Sequence, residues 1–139
     1  MTTEAMQSYV QNSVLTEYQR DPEQEKALAN NPEDTILLLL EGAIHKGALA
    51  IACHNSRSFT EKGFHLGRMT SIIDALRDRL DFKFNIAYDL ETLYYYIDQC
   101  LQASVHETGT EQLEAAIQIL NEIQEAWVIS MQDAEKMTA

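Results

Sequence analysis

The sequence predicts an all-α fold: an antiparallel, up-down-up-down four-helix bundle (31–139) preceded by a partly flexible N-terminal arm (1–30). Three observations predict it. Apolar residues make up 45% of the 139, against five Gly and two Pro, a balance that suits long helices over short strands joined by tight turns. Four stretches carry apolar residues at helical steps of three, four and seven. The segments between them are short, and short connections seat each helix beside the one before it. A chain of this length can bury one core without disulfide or metal staples.

The elements follow in order. The first thirty residues are polar, with scattered apolar positions at Met6, Tyr9, Val14, Leu15 and Tyr18, and read as a loosely docked arm. Helix one, roughly 32–54, opens on Asn31 as a cap and Pro32 at the first helical position, with Glu33 and Asp34 on the positive end of the dipole. Helix two, roughly 59–81, starts at the capping-box spacing of Ser58 and Glu61 and continues through Leu66, Met69, Ile73, Leu76 and Leu80. Helix three, roughly 87–106, is carried by Leu90, Leu93, Ile97, Cys100 or Leu101, and Ser104. Helix four follows a second box at Thr108 and Glu111 and runs through Leu113, Leu120, Ile123 and Trp127 to about residue 136.

Twenty-two acidic against ten basic residues give a net charge of −12, which repels phosphate backbones and anionic headgroups. Neither nucleic acid nor a membrane is an expected partner. The run TILLLL is too short to span a bilayer, and the N-terminus has no basic, apolar leader pattern. Cys53 and Cys100 lack CxxC spacing and read as buried free thiols. A cytoplasmic protein is the expectation.

Catalytic and metal patterns find little support. A di-iron bundle needs Glu-x-x-His pairs, whereas Glu41–His45 and Glu61–His65 are four apart. A histidine phosphotransfer-like signalling bundle is the alternative reading, since it too is a small acidic bundle. It needs a cation one turn beyond the exposed His, and Lys46 directly follows His45. No metal site, cofactor or enzymatic activity is expected.

There is more apolar side chain than a slim bundle needs. If helix one buries Ile36, Leu39 or Leu40, Ala43, Gly47 and Ala50, then Leu37, Leu38 and Ile44 fall on its flanks. Tyr94, Tyr95 and Tyr96 cannot share one face, because consecutive helical residues point about 100° apart. Tyr94 and Tyr96 are expected to divide between core anchor and groove wall, with Tyr95 toward solvent or a partner. These residues either form a broad core, as the inner faces of bundles often do, or mark a partner site, as contiguous apolar surface on a monomer usually does.

These residues resemble the FliS-type flagellin export chaperone family. The resemblance rests on Tyr18–Gln19, the Asn31–Pro32 helix start, the apolar run Ile36–Leu40 with Glu41–Ile44, the stretch IIDALRDRLDF, the Leu93, Tyr94, Tyr96, Ile97 element and Glu125–Ala126–Trp127. It spans roughly residues 18–131. Leu40 stands where an aromatic is common, Glu41 replaces Asp, Asn31 replaces Ser or Thr, and the usual Gly before helix three is missing. The resemblance implies a cytoplasmic export chaperone that binds the disordered C-terminal segment of flagellin and prevents premature polymerisation before flagellar secretion. It also makes the export machinery a second candidate partner. Leu37, Leu38, Ile44, Leu93, Tyr94 and Leu101 are expected to line the groove, and Tyr18 to cover it when empty.

Overall fold

The computed structural model describes residues 32–138, with side chains through residue 133. The described residues form four helices, α1 (Pro32–Asn55), α2 (Phe59–Asp78), α3 (Asn85–Ser104) and α4 (Glu111–Thr138), and no strand. The expected arm, the Asn31 cap and Tyr18 lie outside them.

The helices form a ring. α1 packs on α2 and α4, and α3 packs on the same two from the other side. Side-chain contacts fix the directions. His54 at the end of α1 meets Lys62 at the start of α2, while Arg79 just past α2 reaches the carbonyl of Pro32 at the start of α1. Lys62 also reaches Ser104 at the end of α3, and Arg77 near the end of α2 binds Glu91 near the start of α3. Trp127 of α4 donates to the carbonyl of Glu33. Each helix therefore runs opposite to its two neighbours.

One core runs through the ring. α1 contributes Leu39, Leu40, Ala43, Gly47 and Ala50, a stripe at helical spacing. Opposite it lie Met69, Ile72 and Ile73 of α2, Ile97 and Leu101 of α3, and Leu113 and Leu120 of α4, all 1% exposed or less. Each such Leu or Ile adds about 1.5–3 kcal/mol relative to an exposed one. By length and composition α1 could cross a bilayer, but a core helix has the same composition, and its buried stripe is packed against α2 and α4. A Cβ added at Gly47 would sit 2.7 Å from Ile117 Cγ1. Glycine there lets α1 and α4 approach closely.

Several boundaries differ from the sequence expectation, each for a local reason. α2 ends at Asp78 rather than near 81 because Arg79 and Leu80 turn tightly, their N–H groups bonding back to Leu76 and Arg77. α3 starts at Asn85 rather than 87, directly after extended Phe84 (φ −105°, ψ 136°), and it ends at Ser104. Neither expected capping box forms as written. Ser58 makes no side-chain cap; its hydroxyl lies 3.1 Å from that of Ser56. At α4 it is Glu107, not Thr108, whose carboxylate accepts a first-turn N–H, that of Gln112.

The end of α1 also follows an unannounced route. Arg57 adopts φ 62°, Ser58 N–H bonds to the carbonyl of Cys53 and Arg57 N–H to that of His54. This is the Schellman pattern, which usually takes glycine at the left-handed position. Both cysteines are free, but only Cys100 is buried. Cys53 is half-buried and lies 3.9 Å from a Glu61 carboxylate oxygen.

Candidate functional site

The ring has two ends of opposite character. At one, the end of α1, the start of α2, the end of α3 and the start of α4 meet around Lys62, which is 4% exposed. Its Nζ donates to the Ser104 carbonyl at 2.8 Å and to His54 Nδ1 at 2.9 Å. With Nδ1 accepting, His54 Nε2 carries the ring proton and donates to the Thr108 carbonyl at 3.2 Å. Phe59 closes edge-on over His54, 5.5 Å between centroids. Three elements are tied here by directional bonds.

The other end is apolar and open. A cavity of about 150 Å³ lies between Ile36 of α1, Leu76 of α2, Leu80 and Phe84 of the α2–α3 connection, Ile86, Leu90 and Tyr94 of α3, and Trp127 of α4. The indole Nε1–H donates to the Glu33 carbonyl at 3.2 Å, which fixes the Trp127 ring as a wall. Tyr94 is 3% exposed, and burial pushes its phenol pKa up to about 12. Around the mouth, Phe84 is 63% and Ile86 61% exposed. Phe82 and Tyr88 brace the same connection edge-on, 5.0 Å between centroids.

The sides of the ring differ as well. Between α2 and α3 the flank is charged: Arg77 pairs with Glu91, and Asp74 lies near Asp98. Burial first, and then Asp98, raises the Asp74 carboxyl pKa. Ile86, Leu93 and Tyr96 fall on the flank of α3 opposite that of Glu91 and Asp98, which at 100° per residue is the flank toward α4. There the exposed apolar surface runs out of the cavity along the helix.

The residues expected to line a groove do not come together in one. α1 and α3 stand diagonally across the ring, each packed on α2 and α4, so a groove along the side of the ring takes its walls from neighbouring helices, while the cavity at the open end draws on both α1 and α3 through Ile36 and Tyr94. Leu37 and Ile44, seven apart, share the α4-facing flank of α1 with Ile51, which lines the opening between these two helices. Leu38 turns to the other flank. Leu37, Leu38 and Ile44 are half-buried and Leu93 is exposed. Leu101 is 1% exposed, so it belongs to the core rather than to a surface wall; Tyr94 is also a core residue, although it reaches the cavity lining. Both point inward because Tyr94, Ile97 and Leu101 repeat at steps of three and four along one face. Tyr95 and Tyr96 are 55% and 50% exposed, and the Cys100 thiol beside the Tyr96 hydroxyl raises the pKa of that phenol.

Sequence reasoning missed Phe84, Ile86, Trp127 and Arg79, which also lines the cavity, as candidate site residues. A signal existed in FKFNI, where three large apolar residues fall in or beside a connection that needs none. Elsewhere, His45 is exposed on α1. Burial, then the charges of Lys46 and Arg68, lower the His65 pKa. Among the described residues no three His, Cys, Asp or Glu converge as metal ligands.

Comparison with known proteins points one way. Residues 14–134 match the family model described as Flagellar protein FliS. The chain is 31% identical over 102 residues to the flagellar secretion chaperone FliS of Vibrio cholerae, covering 71% of this chain and 74% of that protein. It is 27% identical over 115 residues to the flagellar secretion chaperone FliSB of Pseudomonas aeruginosa, covering 81% and 91%. With the match running from ahead of Tyr18 to beyond Trp127, through all four helices, the chain belongs to the FliS family of flagellar proteins.

Proposed function

We propose that this protein is a cytoplasmic, non-enzymatic export chaperone whose client is the disordered C-terminal segment of flagellin, held until secretion so that it does not polymerise early. The observation that carries this reading is the apolar surface of the open end. Phe84 and Ile86 stand exposed around a cavity walled by Trp127 and Tyr94, and Leu93 and Tyr96 extend that surface along α3. Amphipathic segments dock into such surfaces through residues spaced to match. A client that orders on binding loses roughly 2–5 kcal/mol. Burying about 1,000 Å² of apolar area yields on the order of 25 kcal/mol gross, most of it offset by association and ordering.

Client contact is proposed for Leu93 with Ile86 and Tyr96 along α3, and for Leu37 and Ile44 along α1 toward α4, with Leu38 on the α2 side. Tyr94 supports the cavity from inside, Leu101 supports the helix, and Tyr18 is proposed to cover the empty surface. Negative surface charge keeps a protein with exposed apolar area from associating with itself. The export machinery is a second proposed partner.

Calorimetric titration with the C-terminal segment of flagellin from the same organism tests this directly. Saturable binding is expected. Leu93→Asp should weaken it at least tenfold while leaving helicity and melting temperature near those of the native protein. Heat no different from buffer dilution would end the reading.

A further inference from the structure

Arg79 lines the apolar cavity beside Leu80, Phe84 and Trp127, and its surroundings do not satisfy it. Among the described residues its Nη2 donates one long bond, 3.4 Å, to the Pro32 carbonyl, while Nε and Nη1 are buried without an acceptor. Burial lowers its pKa. Arg77, two residues earlier, shows what is missing: its Nε lies 3.1 Å from both carboxylate oxygens of Glu91. Asp81 also borders the cavity, but its Oδ1 accepts the backbone N–H of Lys83. A guanidinium against apolar walls without a counter-charge is costly, and its planar donors match a carboxylate.

We infer that the open end captures the C-terminal residue of the client, with an aliphatic side chain in the cavity and the chain-terminal carboxylate on Arg79. This deepens the proposed function and rests on it. The size of the cavity selects the occupant. About 150 Å³ holds one group the size of benzene, so it takes one side chain rather than a through-running helix. A terminal residue brings its anion within a few bonds of that side chain, whereas an internal residue brings two neutral peptide groups to the same place. On a chain of net charge −12, a half-buried cation whose Nε and Nη1 have no acceptor among the described residues is where an anion gains most.

The test titrates the full chain with two synthetic peptides of the flagellin C-terminal segment, one a free acid and one a C-terminal amide. The acid is expected to bind roughly ten- to a hundredfold more tightly, the range for a charge-assisted hydrogen bond. Arg79→Met should bring the acid down to the affinity of the amide and leave the amide unchanged. Raising salt should shrink the difference between the peptides. Equal affinity of both peptides for the native protein overturns the capture and leaves the chaperone reading standing, whereas failure of both to bind removes that reading. If the chain's own segment ahead of Pro32 holds Arg79 instead, Arg79→Met binds both peptides more tightly than the native protein, and the capture is again overturned. Should Arg79→Met fail to fold, the acid and amide comparison on the native protein decides alone.

Discussion

The two ends of the bundle are made from the same four helices and solve opposite problems. At the Lys62 end, the Ser104 and Thr108 carbonyls and both nitrogens of His54 are joined by directional bonds. At the Trp127 end, one indole bond closes a wall, Arg79 adds one long bond to the Pro32 carbonyl, and most of the remaining lining is hydrocarbon, with Phe84 and Ile86 facing out. Directional polar bonds need one geometry and hold it, while apolar surface accepts many shapes at little orientational cost. One end is held shut by its own bonds, and the other leaves apolar side chains exposed.

Stability measurements can break or sharpen that contrast. The largest effect is expected from Lys62→Ala, which leaves the Ser104 carbonyl without its donor inside the bundle: about 2–3 kcal/mol should be lost in urea unfolding. Lys62→Met, which keeps the apolar stem, should lose nearly as much if the bonds rather than the packing matter. Arg77→Ala removes the pair with Glu91, whose side chains are about a third exposed. A loss of roughly 0.5–1 kcal/mol is expected, shrinking in high salt.

Asp74→Asn acts through pH. Because the folded-state pKa of Asp74 is raised, first by burial and then by Asp98, its contribution is full below the unfolded carboxyl pKa and is lost as pH rises through the folded value. The substitution should therefore stabilise near pH 7 by about a few tenths of a kcal/mol after solvent screening. The gain should vanish at pH 3; a gain equal at both would exclude the carboxylate as its cause. The smallest effect on stability belongs to the open end, where Phe84→Ser should stay within about 0.5 kcal/mol. If Phe84→Ser costs as much as Lys62→Ala, the open end is structural and the contrast between the ends fails.

Helical periodicity made the four elements legible, and the core stripe of α1 was readable from the spacing of Leu39, Leu40, Ala43, Gly47 and Ala50. The bonds that Lys62 makes at the closed end were not readable. Lys62 lies 42 residues from Ser104 and looks like any helix-surface lysine in the sequence. The stop at Arg57 was hidden for another reason: its geometry usually takes glycine, and here a side chain tolerates it. Which walls Leu37, Leu38 and Leu93 belong to was not readable, because that requires knowing which helices are neighbours. The ring puts α1 and α3 on a diagonal.

Local chemistry thus determined that this chain forms four amphipathic helices with more apolar surface than their shared interior takes, because periodicity and composition are properties of neighbouring residues. Tertiary structure alone decided where the surplus lies, that Tyr94 turns inward while Tyr95 and Tyr96 do not, and that Arg79 stands in an apolar wall. Those outcomes depend on contacts between residues far apart in the chain, and such contacts exist only once the helices have chosen their partners.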